Sequence, residues 1–370
     1  MPASRLSYAR RALSIALPLI AADARSARAP LRAERKTSLF SALPSDLGAQ
    51  GYRNPAHAFG LIQRPWLWQN GQPAFGRKDH DLRALALTPP TILTRHHAAD
   101  GSTKLLIEVD GGDRVEAVHM PRAVGAGRVT LCISSQVGCA MGCTFCATAT
   151  MGFKRHLLAH EIVGQVLCAV HALGPRHPGD LTLVFMGMGE PLHNLAEVAR
   201  AIAVLCEAGG LALSARRITV STSGLVPEIA ELSALEPRPM LAVSVNATTD
   251  VQRSALMPIG RRYPLAELRA ALEQYPARPR ERITVEYVLL AGVNDAPDDA
   301  RRLSDFCVGF PHQINLIPFN EHGASEFQAP SEETVDAFAR ALLGHRPSVL
   351  TVRRSRGRDV GAACGQLVLG

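Results

Sequence analysis

Short apolar runs rich in β-branched residues alternate with longer segments of helical spacing over most of this chain. Five of the apolar runs, most of which end in polar residues or glycine, are LTLVFMGMGEP, RITVSTSG, MLAVSVN, RITVEYVLL and QINLIPFN. The segments with apolar residues three or four positions apart are HEIVGQVLCAVHALG, NLAEVARAIAVLCEAG, PLAELRAALEQY, PDDARRLSDFC and SEETVDAFARALLG. Strands that alternate with helices in this way indicate a parallel sheet.

Three further runs precede this alternation. KLLIEV and RVEAVHM flank a Gly-Gly-Asp turn and predict a hairpin, and RVTLCISS predicts a sixth strand of the alternating series. We therefore expect an α/β fold, a partial (β/α)6 barrel of the TIM type, with its active site at the carboxyl ends of the strands. Asn194 with Glu197 predicts a capping box, and Gly174 and Gly209 predict helix ends.

The N-terminal part of the chain lacks this pattern. Residues 1–36 are strongly basic and surround a short apolar stretch broken by Pro18. We expect a disordered basic tail rather than a targeting peptide, because the thiol chemistry considered below needs a reducing compartment. Residues 37–100 predict a small, mostly helical accessory domain, and residues 101–370 predict the barrel core.

Composition narrows the class of protein. Of the 370 residues, 47% are apolar and 20% are charged, which excludes a disordered chain. Aromatic residues make up 5%, too few for a broad base-stacking sheet. No apolar run approaches the ~18 residues that span a membrane. Lys and Arg number 40 against 33 Asp and Glu, a net charge of +7 that is compatible with a nucleic-acid partner.

The cysteines are the strongest chemical signal. Four of the 8 lie close together in the segment CISSQVGCAMGCTFC. Within it, Cys139, Cys143 and Cys146 have C-x3-C-x2-C spacing, one thiolate short of a four-cysteine zinc site. Three thiolates can instead hold three irons of a 4Fe–4S cluster and leave the fourth iron open to S-adenosylmethionine (SAM). A zinc site completed by a distant ligand is the alternative.

The triad and its surroundings resemble the RlmN/Cfr family of radical-SAM RNA methyltransferases. The motifs that carry the resemblance cover about residues 100–368 and are LCISSQVGC, GFKR, MGMGEPL, VSTSG, INLIPFN and RGRDVGAACGQL. The resemblance implies a barrel of the radical-SAM type and a cytoplasmic, monomeric enzyme. It also implies a 4Fe–4S cluster, two SAM molecules per turnover and an electron donor such as flavodoxin.

The resemblance also implies roles for individual residues. Cys364 matches the cysteine that receives a methyl group from SAM. Cys132 matches the thiol that resolves the covalent adduct and forms a transient disulfide with Cys364, and Glu116 matches the proton acceptor. Positions that match SAM-binding residues, all at strand ends, are Gly189, Glu190, Ser221, Ser244, Val245, Asn246 and Asn320.

The implied reaction methylates a ring carbon of adenine by radical addition, because such a carbon is neither acidic nor nucleophilic. Ribosomal RNA is the expected substrate, with transfer RNA as a further candidate, and the GF-x-R context favours carbon 2 over the carbon 8 of Cfr-like enzymes. Two departures leave the RNA target open: Asn246 replaces a histidine, and His156 replaces an asparagine. Rival hypotheses are another radical-SAM enzyme, such as a peptide maturase or an activating enzyme, and a noncatalytic zinc-stabilised RNA-binding protein.

Overall fold

The computed structural model describes residues 38–70, 73–74, 89–122, 127–175, 177–345 and 349–369. The predicted basic tail, residues 1–36, lies outside this range. From Leu39 onward the chain forms one compact unit. None of the described helices is both long and apolar enough to cross a bilayer.

The described residues contain twelve strands. Their bounds are β1 Thr91–His97, β2 Thr103–Glu108, β3 Arg114–Pro121, β4 Val129–Cys132, β5 Gln136–Gly138, β6 Phe153–His156, β7 Leu181–Phe185, β8 Ile218–Thr222, β9 Met240–Ser244, β10 Ile283–Leu289, β11 His312–Pro318 and β12 Val349–Val352.

Ten α-helices lie in the described residues. Their bounds are α1 Pro44–Ala49, α2 Pro55–Gln63, α3 Ala147–Thr150, α4 Ala159–Leu173, α5 Leu195–Cys206, α6 Val226–Ser233, α7 Asp250–Leu256, α8 Leu265–Gln274, α9 Pro297–Phe306 and α10 Glu332–His345.

Ten strands form one sheet in the order β1-β2-β3-β4-β7-β8-β9-β10-β11-β12. Within this sheet, β4 and β7 to β12 pair in parallel, while β1 to β4 pair antiparallel. The six predicted parallel strands correspond to β4 and β7 to β11, so the partial (β/α)6 barrel is confirmed. The strands β5 and β6 form a separate antiparallel hairpin, and β5 follows β4 in the chain.

The predicted hairpin is also confirmed, with Glu108 opposite Arg114 across the turn. The sheet extends further toward the N-terminus than the pattern indicates, because β1 pairs with β2. Its residues are mostly exposed, so β1 carries no alternation of apolar and polar positions that could have predicted a strand. The same holds at the opposite edge for β12, whose residues are exposed or half-buried.

Helices α1 and α2 pack against the barrel rather than apart from it. Leu47, Phe59 and Ile62 belong to the same hydrophobic core as the strands. Arg200 of α5 donates a hydrogen bond from Nε to the carbonyl oxygen of Ser41 at 2.9 Å. The domain boundary at residue 100 stays a prediction.

The capping box expected at Asn194 is wrong. The Asn194 side chain donates from Nδ2 to the carbonyl oxygens of Ser135 (2.9 Å) and Leu157 (2.8 Å), and Glu197 accepts a bond from the backbone of Ala159. The Asn194 side chain therefore binds backbone carbonyl groups that are distant in sequence and does not cap its own helix. The helix end at Gly174 is confirmed, with φ +85° at this residue.

Candidate active site

The three spaced cysteines lie on a loop between β5 and α3. The backbone N–H of Cys139 donates to Gly152 at 2.8 Å, which joins the start of the loop to β6, and Cys146 bonds back to Cys143 at 3.2 Å. All three thiols are partly buried. The loop is therefore shaped by its own hydrogen bonds at the carboxyl end of the first parallel strand.

The surroundings oppose three free thiolates at this loop. Burial, with smaller contributions from Glu190 and Cys146, raises the pKa of Cys139 to about 12. Burial and the two neighbouring thiols raise the pKa of Cys143 well above its ordinary value. Burial also raises the pKa of Cys146. Iron supplies the positive charge that would favour the thiolates. Three thiolates with this spacing fit a 4Fe–4S cluster, in which each would bind a different iron.

A buried arginine lies behind the cysteine loop. Arg253 on α7 is fully buried and donates to the carbonyl oxygens of Ser223 (2.6 Å), Ser244 (3.1 Å) and Val245. Burial lowers its pKa to about 10, while the neighbouring Cys143 raises it. The guanidinium thus joins the ends of β8 and β9 and places a positive charge near the cluster thiols.

Cys132 and Cys364 line the same small cavity, although they are far apart in the sequence. Arg353 lines the cavity as well. It lowers the pKa of Cys132, which burial and Cys364 raise to about 12. Cys364 in turn raises the pKa of Arg353 more than any other neighbour does. The other residues around the cavity are Met120, Met186, Ser355, Arg356, Ala362, Ala363 and Leu367.

The segment that carries Cys364 is bound directly to the cysteine loop and to the end of β11. Its hydrogen bonds, donor first, are Ala147 N to Gly365 O (2.7 Å), Thr148 Oγ1 to Leu367 O (2.6 Å), Asn320 Nδ2 to Cys364 O (3.1 Å) and Gln366 Nε2 to Glu321 O (2.8 Å). Asn320 also donates to Ser355 Oγ at 3.0 Å. The side-chain amide of Asn320 therefore helps to position the Cys364 segment.

Glu116 is completely buried beneath the C-terminal segment. Its Oε1 lies 3.1 Å from Nζ of Lys104, which is itself buried, and its Oε2 accepts the backbone N–H of Val368 at 3.1 Å. An acidic residue of the hairpin is thus paired with a lysine inside the protein.

Gly189 and Glu190 lie where the motif predicts, just after β7. The carboxylate of Glu190 accepts the backbone N–H groups of Leu192 (3.1 Å) and Ser223 (2.7 Å), and burial raises its pKa. Gly189 has φ +98°, and a Cβ there would lie 2.5 Å from Cβ of Gln136. Only glycine fits this close approach.

Ser221 lies beside a carboxylate that the sequence analysis missed. Ser221 Oγ donates to Glu286 Oε2 at 3.3 Å, and Glu286 Oε1 lies 3.8 Å from Nη1 of Arg353. Burial raises the pKa of Glu286, and Arg353 opposes that rise. The signal was present in the sequence, since Glu286 is the one charged residue of the apolar run ITVEYVLL. Nothing comparable marked Arg253.

The end of β9 is more enclosed than the motif indicates. Ser244 and Val245 give their carbonyl oxygens to Arg253. Asn246, at φ +54°, accepts the backbone N–H of Val288 at 2.8 Å and is almost fully buried. The SAM-binding roles of these residues stay predictions.

Comparison of the sequence with known proteins shows the family to which the chain belongs. The radical SAM superfamily model matches residues 133–303. A dual-specificity RNA methyltransferase RlmN from Geotalea uraniireducens is 52% identical over 270 residues, which cover 73% of this chain and 76% of the relative. The chain belongs to the RlmN family. An RlmN from Syntrophobacter fumaroxidans is 50% identical over 84% of this chain and 89% of its own.

A solved member of the same superfamily has the same fold. The crystal structure of a radical SAM methyltransferase from Sphaerobacter thermophilus superposes with a TM-score of 0.81 at 38% identity, covering 90% of this chain and 99% of that one. As a member of the RlmN family, the protein is a SAM-dependent methyltransferase with a radical-SAM fold. The family implies both a 4Fe–4S cluster and SAM.

Membership of the RlmN family does not by itself assign the other site residues. All eight cysteines are free thiols in the structure, so no disulfide joins Cys132 to Cys364. The geometry does bring these two thiols into one cavity.

Proposed function

We propose that the protein methylates a ring carbon of adenine in RNA through a methyl group carried on Cys364. Carbon 2 is favoured over carbon 8, and ribosomal RNA is the favoured substrate, with transfer RNA as a further one. The observation that carries the proposal is the shared cavity of Cys132 and Cys364 beside the cysteine loop. The RlmN relatives, which are named dual-specificity RNA methyltransferases, support RNA as the substrate.

The two thiols would act in sequence. The Cys364 thiolate takes a methyl group from SAM, and S-adenosylhomocysteine leaves. A 5′-deoxyadenosyl radical from the second SAM would take a hydrogen atom from the S-methyl group, and the methylene radical that remains would add to the adenine ring. The adduct would then lose its unpaired electron to the electron carrier and its ring proton to Glu116. The Cys132 thiolate would attack the Cys364 sulfur, which forms a transient disulfide, and the released carbon would take up a proton to become the methyl group of the base. Arg353 supports the Cys132 thiolate, because its charge opposes the burial that raises the pKa of Cys132.

Cys139, Cys143 and Cys146 would hold the cluster, and Glu190, Ser221 and the ends of β9 and β11 would contact SAM. The cluster, when bound, supplies the electron that cleaves the second SAM reductively. Around it the protein excludes water: Arg253, Glu190 and Glu286 are all buried at the strand ends.

Glu116 would accept the proton that leaves the adenine ring. Its contact with Lys104 at 3.1 Å holds one carboxylate oxygen, and the other is bonded to Val368. Release of the Val368 bond would free that oxygen to act as a base, so the C-terminal segment has to shift during the reaction. We also propose a monomer in the reducing cytoplasm, with a flavodoxin-type protein as the electron donor.

The experiment compares Cys364→Ala with Cys132→Ala. Cys364→Ala should lose methyl transfer to the protein, because no thiol accepts the methyl group. Cys132→Ala should load Cys364 and bond to RNA but not release it. We therefore expect a covalent protein–RNA adduct, seen as a slow band on a denaturing gel that nuclease trims to a single-nucleotide mass.

Cys206→Ala, which removes a partly buried thiol outside the candidate site, is the matched control and should keep wild-type turnover. Normal turnover of Cys132→Ala would show that Cys132 is only a core residue. Mass spectrometry of nucleosides from RNA of a deletion strain distinguishes carbon 2 from carbon 8 and ribosomal from transfer RNA.

A further inference from the structure

Three rings cluster at the edge of the candidate site: Phe153, His156 and His193. The centroid of Phe153 lies 5.0 Å from that of His156 and 5.5 Å from that of His193, and the two imidazoles lie 4.8 Å apart at 77°. Phe153 is 40% exposed, and His193 is exposed as well. These three residues are called the ring cluster below.

Gln136 holds the two imidazole rings in the same tautomer. Its Oε1 accepts the backbone N–H of Glu190 at 2.8 Å, so its amide nitrogen is the donor. Nε2 of Gln136 lies 3.0 Å from Nδ1 of His156 and 3.2 Å from Nδ1 of His193. Each Nδ1 is therefore an acceptor, and each ring carries its proton on Nε2.

The half-buried His156 ring is kept uncharged by burial and by the neighbouring His193, which lower its pKa to about 4. The partial desolvation of the more exposed His193 lowers its pKa in the same direction. At neutral pH the ring cluster therefore presents an uncharged aromatic surface. Such a surface does not attract phosphate groups by charge.

The ring cluster is continuous with the site on two sides. Phe153 lies opposite Gly138 in the β5–β6 hairpin, directly before Cys139. On the other side, Gln136 bonds to Glu190, the motif residue at the end of β7. The rings therefore stand between the cysteine loop and the predicted SAM-binding residues, at the rim of the site.

A metal site is the other chemistry that two adjacent imidazoles suggest. No third His, Cys, Asp or Glu joins His156 and His193 to complete such a site in the described part of the chain. Neutral, partly exposed rings are instead the surface on which unpaired nucleobases stack.

We propose that the ring cluster is a stacking surface for an unpaired nucleobase of the RNA, next to the adenine that is methylated. The inference rests on the proposed function, since it assumes an RNA substrate. It adds a specificity surface at the rim of the site. An adenine that enters a buried site has to leave its neighbours, and a ring surface at the rim compensates one of them for the stacking it loses.

The test uses protein reconstituted with its 4Fe–4S cluster and a fluorescent RNA stem–loop that corresponds to the methylated region. It measures the Kd for this RNA and the kcat at saturating RNA. Phe153→Leu keeps apolar volume but removes the ring, and should weaken RNA binding about tenfold, as expected for loss of one stacked base. Phe153→Tyr keeps the ring and should retain the wild-type Kd. His193→Leu, on a different segment, should weaken binding in the same direction without altering the hairpin.

Leu343→Ala removes an exposed apolar side chain of α10 and should leave the Kd unchanged. Iron content checks that the hairpin of Phe153→Leu is intact. Unchanged Kd in both Phe153→Leu and His193→Leu, with iron retained, would overturn the proposal. A fall in kcat at unchanged Kd would assign the rings to the electron donor instead, and would overturn it equally. Failure of the wild-type protein to methylate any RNA would refute the proposed function itself.

Discussion

Several side chains of the site carry charges or protonation states that their surroundings determine. Arg253 is buried with its hydrogen bonds directed at backbone carbonyl oxygens, and Glu286 is buried beside Ser221 and Arg353. Such groups cost several kcal/mol to bury unless they are bonded, so they persist where function or local geometry needs them. At this scale the environment of a residue, rather than its type, determines what it can do.

The pKa of His156 predicts how stability changes with pH. In the folded protein this pKa is about 4, below the ordinary 6.5, so between these values the unfolded chain binds a proton that the folded protein does not. The free energy of unfolding should therefore fall as the pH decreases from about 6.5 toward about 4, and this contribution should level off below that. His156→Asn should remove the contribution.

The measurement is urea unfolding of the cluster-free protein at about pH 7 and about pH 5, since metal binding is itself pH-dependent. A loss of stability that is equal in wild-type protein and His156→Asn would mean that His156 is protonated in the folded state.

The β5–β6 hairpin is the element that forms one side of the cysteine loop. Gly138 and Gly152 both have positive φ, +76° and +66°, and lie on opposite sides of it. A Cβ on Gly138 would lie 1.9 Å from the carbonyl oxygen of Gly152, whereas nothing lies within 4 Å of a Cβ on Gly152. The backbones therefore meet only because position 138 has no side chain.

Gly138→Ala should separate the hairpin and displace the adjacent Cys139. Gly152→Ala is the matched control, because it adds the same methyl group at a similar φ and costs only about 1–2 kcal/mol of backbone strain. Iron content after anaerobic reconstitution checks the prediction: Gly138→Ala should lose most of its iron, and Gly152→Ala should keep it. Equal iron in both variants would mean that the hairpin can relax without moving the loop.

At the scale of the whole molecule, one core supports both the barrel and the helices before it, and the last residues of the chain close over the site. Cys364, Glu116 and the cysteine loop come from three distant parts of the sequence and meet through the hydrogen bonds of the C-terminal segment. The site therefore exists only when the complete barrel has formed.

Cluster binding should accordingly stabilise the whole folded unit. A preformed site for the three thiols rarely exists in an unfolded chain, so the cluster binds the folded state preferentially. Reconstitution with iron and sulfide should raise the Tm by roughly 5 °C or more, since a ligand at 1,000 times its Kd contributes about 4 kcal/mol. About four irons per chain should accompany the rise, the count of a 4Fe–4S cube.

Differential scanning calorimetry under anaerobic conditions measures the shift. Cys143→Ala should show neither the rise in Tm nor the four irons. A variant that keeps both would disprove the assignment of Cys143 as a ligand, and one zinc per chain in the wild-type protein would favour the zinc-stabilised alternative.

The sequence by itself determined the periodic elements, the parallel sheet and the spaced cysteines, because these depend on residues that are neighbours along the chain. The edge strands β1 and β12 could not be predicted from the sequence. Their residues are exposed or half-buried, so they show no alternation of apolar and polar positions. Only the tertiary structure decided which contacts the side chains make: Ser221 with Glu286, and Asn194 with the backbone before the cysteine loop. The physical reason is that these partners lie far apart in sequence, and their distances follow from the packing of the whole barrel rather than from any local pattern.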